Sequence, residues 1–171
     1  MNGITFIEIF IEEPQEFFLD LRASIDWDER MTARKTASYG VAYNYSQMSY
    51  PFHPMLPGLA SMSKKIDETI GFEPNNCLIN YYMNGLSKMG FHSDQTDILA
   101  PDTGVAIISL GETRVLRFRN IADKTIVHDY PLPSGSLIYM TQEVQSEWQH
   151  AIPKDDTVNG RMSLTFRKIV A

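Results

Sequence analysis

Hydrophobic residues follow a helical period in the first part of the chain and a shorter, strand-like period after about residue 76. In Glu12–Arg22, acidic residues and Pro14 precede Phe17, Phe18 and Leu21, a spacing that puts one apolar stripe on an amphipathic helix. A second helix is expected over Pro57–Ile70, where Leu59, Met62, Ile66 and Ile70 share a face and Gly71 is placed to end it. The stretch between the two helices is irregular and rich in tyrosine.

From Asn76 onward the pattern breaks into short β-rich runs: Leu78–Met83, Val105–Leu110, Thr113–Phe118, Thr125–Tyr130, Ser136–Met140 and Arg161–Val170. Turn-forming residues such as Asp102-Thr-Gly and Pro133-Ser-Gly separate them. Closely spaced short strands after a helical region, without βαβ alternation, imply a mainly β fold with flanking α: a sandwich or jelly roll braced by helices. There is no internal repeat, low-complexity tract or linker, so residues 1–171 are read as a single domain, with 1–75 helical and 76–171 the β core.

Composition narrows the classes. A chain of 171 residues, 43% hydrophobic and 21% charged, can bury one substantial core. No apolar run is long enough for a membrane helix, and the first residues lack a basic, cleavable leader, so a cytoplasmic protein without membrane contact is expected. The lone Cys77 excludes an internal disulfide and a multi-cysteine zinc site, and its apolar neighbours suggest strand packing. A net charge of -6 gives no global attraction to nucleic acid. Phosphate contacts would have to come from local clusters: Arg30, Arg34 and Lys35; Lys64 and Lys65; Arg114, Arg117 and Arg119.

The candidate chemistry begins at His92-Ser-Asp94, because residues two apart in an extended segment point the same way and can reach one ion. Such a pair is common at surfaces, and a third ligand is required. His150 supplies it from a distant strand, although His53 and His128 remain alternatives. Two imidazoles and one carboxylate suit non-haem Fe(II) and leave coordination positions open, which a closed four-ligand zinc site would not.

The last strand, Arg161-Met-Ser-Leu-Thr-Phe-Arg167, aligns both arginines with Ser163 and Thr165 on one face, with Leu164 and Phe166 opposite. Two aligned guanidiniums need anions, and a dicarboxylate offers one group to each; structural salt bridges are the plainer alternative.

Taken together, Leu78-Ile-Asn-Tyr-Tyr82, His92-Ser-Asp94, Ser109-Leu-Gly111, Trp148-Gln-His150 and Arg161–Arg167 resemble, in order, the motifs of the AlkB-like dioxygenases. The resemblance runs from about Arg34 to the end of the chain. It implies a double-stranded β-helix whose N-terminal additions form a substrate lid, and it implies Fe(II) at His92, Asp94 and His150. Asn80, Tyr82, Arg161 and Arg167 would surround 2-oxoglutarate, Arg161 and Tyr82 at the distal carboxylate, Arg167 and Asn80 at the iron end.

The activity implied is oxidative dealkylation of N-alkylated nucleobases in DNA or RNA, a DNA-repair chemistry that consumes 2-oxoglutarate and dioxygen. The base would leave its stack and meet aromatic side chains, for which Tyr43 and Tyr45 are the candidates. Relatives that repair nucleic acid carry an acidic residue two positions past the ligand aspartate; here that position is Thr96, which cannot offset a cationic base. Two alternatives therefore stand: a hydroxylase acting on a protein side chain or small metabolite, and a non-catalytic jelly-roll binding module. A monomer is expected.

Overall fold

The computed structural model describes residues 1–45 and 48–170, with the side chains at 45 and 48 also left undescribed. Two antiparallel sheets face one another. The larger has the order β1 (Ile4–Ile7), β10 (Leu137–Met140), β7 (Val105–Gly111), β12 (Arg161–Arg167), β5 (Asn76–Tyr82), β2 (Lys35–Gly40). The smaller has the order β6 (Met89–His92), β11 (Trp148–Ile152), β8 (Arg114–Asn120), β9 (Val127–Leu132), and a separate hairpin joins β3 (Tyr43–Tyr45) to β4 (Met48–Tyr50). Helices α1 (Pro14–Ser24), α2 (Pro57–Ile70) and the short α3 (Gln142–Glu147) complete the element list.

Alternation along the central strands decides which face does what. Cys77 and Ile79 of β5, Ala106, Ile108 and Leu110 of β7, and Met162, Leu164 and Phe166 of β12 share one buried cluster with Phe18 and Leu21 of α1 and Leu59 and Ile66 of α2. The opposite face turns toward the smaller sheet, where Ile107, Leu116, Phe118, Leu132, Ile138 and Ile152 form a second core. The polar residues Asn80, Ser109, Arg161, Ser163 and Arg167 lie on that inner face yet are buried, so the sheet places polar chemistry between two apolar layers.

Helix α2 has the expected bounds: Gly71 closes it with φ 105°, its N–H bonding to the Asp67 carbonyl. Helix α1 starts later than the sequence pattern suggested, because Pro14 occupies the first helical turn, where its missing N–H costs nothing. The segment 1–75 is less purely helical than expected: β1 and β2 hydrogen-bond into the larger sheet as its two edges. Strand β9 begins at Val127 instead of Thr125, since the Asp123 carboxylate accepts from both the N–H and the hydroxyl of Thr125 and holds it in a turn. Strand β12 ends at Arg167, and only an isolated bridge, Leu99 to Ile169, continues toward Val170. None of the described helices is long and apolar enough to cross a membrane.

Candidate metal and dicarboxylate site

Strands β6 and β11 pair so that His92 and His150 stand directly opposite each other. Antiparallel register therefore does what sequence separation hides, bringing the rings to a centroid distance of 4.3 Å. Asp94, two residues past His92, turns into the same space: Oδ1 lies 3.4 Å from His92 Nε2 and 3.7 Å from His150 Nε2. One ligand atom from each of the three residues falls within 4.8 Å of the others, and neither His53 nor His128 joins them.

The protonation states suit a cation. His92 Nδ1 lies 2.8 Å from the Gly90 carbonyl, so the ring's proton belongs on Nδ1 and the Nε2 lone pair faces the cluster. Burial pushes His150 down to about 4 against the opposing pull of Asp94, leaving the imidazole neutral at pH 7. Burial would raise the Asp94 carboxyl, but His150, Arg167 and a hydrogen bond from His92 together bring it below the ordinary carboxylate range. Two neutral imidazoles and an ionised carboxylate form a complete half-shell for Fe(II), with the other coordination positions free for small ligands.

Behind the triad, Asn80, Tyr82, Arg161, Ser163, Thr165 and Arg167 line the same cavity. Arg167 stands at the triad end, its Nη2 3.5 Å from Asp94 Oδ2. Arg161 stands at the other, 1% exposed, with Nη2 donating to Ser109 Oγ at 2.9 Å and Tyr82 as a hydrogen-bonding and ring neighbour. Desolvation lowers Arg161 to about 10, with Tyr82 opposing and Arg114 adding to the fall, so the group remains a cation at neutral pH.

The salt-bridge alternative accounts for only part of this. Nε and Nη1 of both Arg161 and Arg167 are buried without a hydrogen-bond partner among the described residues. Buried donors without acceptors are costly, and the two guanidiniums bracket a space that a dicarboxylate fits chemically. Iron and 2-oxoglutarate are thus both compatible with the residues present.

Other expectations are revised. Tyr43 is 4% exposed, with the Arg167 guanidinium 4.8 Å from its ring centroid, so that ring is not open for stacking on a base. The side chain of Tyr45 lies outside the described residues. Thr96 is half-buried and does not line the cavity; its carbonyl accepts from the Leu99 N–H.

The basic clusters largely dissolve as phosphate contacts. Arg34 is buried and donates to Asn80 Oδ1 at 2.8 Å, and Arg114 is buried against the carbonyls of Asn84, Ser87 and Pro153. Arg30, Lys35 and Arg117 pair with Asp28, Glu29 and Asp129. Lys65 donates to the Phe10 carbonyl, and Arg119 spans Gln149 and the Phe91 ring. Lys64 alone stays fully at the surface.

Sequence reasoning missed two polar residues at the site, Arg34 and Gln145. Neither belongs to a recognisable spacing, and their contacts span 46 and 51 residues.

Comparison with known proteins decides the family. A profile described as the 2OG-Fe(II) oxygenase superfamily matches residues 18–167, and the "DNA oxidative demethylase ALKBH2" of Homo sapiens is 31% identical over 180 residues, covering 95% of this chain and 68% of the relative. The chain belongs to the AlkB-like 2OG-Fe(II) oxygenases. The "Alpha-ketoglutarate-dependent dioxygenase alkB homolog 3" of Rattus norvegicus is 30% identical over 165 residues, covering 85% of this chain. The chain spans just over half of that relative's length, 56%. A solved structure described as "The structure of OsALKBH1" superposes with a TM-score of 0.72 at 15% identity, covering 98% of this chain and 99% of that one, a likeness of fold.

As an AlkB-like oxygenase the chain is a 2-oxoglutarate-dependent dioxygenase using Fe(II), 2-oxoglutarate and dioxygen, on a jelly-roll fold. The reading as a non-catalytic binding module falls with that assignment.

Proposed function

We propose that this dioxygenase removes N-linked alkyl groups from nucleobases in DNA or RNA. The observation that carries the reading is the His92–Asp94–His150 cluster beside two buried, under-satisfied arginines. The substrate class is supported by similarity to proteins named for DNA oxidative demethylation.

His92, Asp94 and His150 would hold the iron on one side. Arg161 and Tyr82 would take the distal carboxylate of 2-oxoglutarate, while Arg167 and Asn80 would take the end nearest the metal. When bound, iron and 2-oxoglutarate supply the oxidation of a substrate C–H bond by dioxygen, with succinate and carbon dioxide as coproducts. Hydroxylation of the carbon attached to a base nitrogen gives a hemiaminal, which breaks down to an aldehyde and the restored base.

The chain's own part is placement and exclusion. Arg167 counters the Asp94 charge on the side away from the imidazoles and keeps the carboxylate ionised. Ile107, Leu116, Leu132 and Ile152 wall the cavity and limit water. His92, with its side chain 25% exposed, is the triad member nearest solvent and marks the side from which substrate arrives.

A second reading, hydroxylation of a protein side chain or small metabolite, is favoured by Thr96, which offers no carboxylate to a cationic base, and by the net charge of -6. Succinate release should be measured with methylated oligonucleotides, peptides and small metabolites in parallel. Formaldehyde together with succinate from methylated oligonucleotides supports dealkylation. Succinate stimulated only by a peptide or metabolite overturns it in favour of the second reading.

A further inference from the structure

We infer that Gln145 is a positioning residue for Asp94, so that metal affinity is set in part by α3, an element that contributes no ligand. This rests on the reading of Asp94 as an iron ligand.

Residues 93–96 belong to no strand or helix, so the ladder that fixes His92 does not extend to Asp94. Both carboxylate oxygens of Asp94 are turned to charged or metal-binding groups: Oδ1 to the two imidazoles, Oδ2 to Arg167. Its orientation must therefore come from the main chain. There the Asp94 N–H donates to Gln145 Oε1 at 2.8 Å, and the neighbouring Ser93 hydroxyl donates to the Trp148 carbonyl at 2.8 Å.

Gln145 is itself fixed. It is 5% exposed, and its Nε2 lies 3.7 Å from Met140 Sδ, which directs the amide oxygen toward Asp94. A flipped amide would set an NH2 group against the Asp94 N–H, donor against donor. The next turn of chain is secured separately, by Gln142 Nε2 donating to the carbonyls of Ala100 at 3.1 Å and Thr103 at 2.7 Å. One helix thus carries two glutamines with distinct tasks: Gln145 at the ligand, Gln142 beyond it.

Groups that orient a metal ligand typically contribute about 10- to 100-fold in metal affinity. The test uses the full chain, with Mn(II) affinity measured by titration calorimetry, the ligand-field spectrum of bound Co(II), and thermal melting without metal. Wild type should bind one Mn(II). Gln145→Met, of similar shape but without an acceptor, should bind it about ten-fold or more weakly, with a changed Co(II) spectrum; Gln145→Ala serves if the Met variant does not fold. Gln142→Met should lower the melting temperature yet leave Mn(II) affinity unchanged. Unaltered affinity in the folded Gln145 variant, or equal weakening in Gln142→Met, overturns the inference. Failure of the wild type to bind Mn(II), or undiminished binding by Asp94→Ala, overturns instead the ligand reading beneath it.

Discussion

At the scale of single residues, the site is a balance of charges held in a dry space. Asp94 stays ionised although buried because two imidazoles and Arg167 surround it. Asp94→Ala should abolish metal-dependent succinate formation while circular dichroism stays native; full activity in that variant would remove the aspartate from the metal sphere. Arg161→Lys keeps the charge but loses the planar fork and its unpaired donors. Losing a charge-assisted hydrogen bond is worth about 1.5–3 kcal/mol, so 2-oxoglutarate affinity should fall roughly 10- to 100-fold, read by calorimetry.

Acid should act on the same residues. In the metal-free protein, His150 has a folded-state value near 4, below the 6.5 of the free side chain, so between those values the unfolded chain binds the extra proton. Stability due to His150 is therefore full above pH 6.5 and is lost as pH falls toward 4. Asp94, also depressed, adds a further loss below its free value of 3.8. Melting temperatures of the wild type and His150→Phe across this range should converge as pH falls; parallel curves would count against a buried neutral histidine.

At the scale of elements, what could be read from the chain depended on period length. Long, clean patterns such as α2 and β12 carry enough repeats to declare themselves, and both arginines of β12 could be placed on one face from parity alone. Strand β6 could not, since it has four residues and includes Gly90, and β11 follows directly on α3 without a turn residue between them. Strands β1 and β2 were hidden by their position among helices and loops. The metal ligands could nonetheless be named because residue type and order survive where strand boundaries do not. The roles of Arg34 and Gln145 could not, because a side-chain contact across distant segments leaves no trace in spacing. Gly71 offers an element-level test: its φ of 105° is left-handed, and a Cβ there would touch nothing within 4 Å. Gly71→Ala should thus cost only the backbone penalty, about 1–2 kcal/mol, seen as a lower denaturation midpoint with unchanged activity.

At the scale of the whole molecule, two cores divide the labour. Helices α1 and α2 close the outer face of the larger sheet with apolar side chains, which frees its inner face to carry buried polar groups toward the smaller sheet. The smaller sheet holds both histidines in one register pair, and the larger holds both arginines on one strand. The site exists only when the two sheets face each other.

The most direct measurement is anaerobic titration of the full chain with Fe(II) and 2-oxoglutarate, followed by visible absorption. A weak charge-transfer band should form in the wild type and vanish in His150→Ala, whose metal-free circular dichroism stays native. A band that survives unchanged without the His150 imidazole, or none in the wild type, would contradict convergence of the two sheets on one iron.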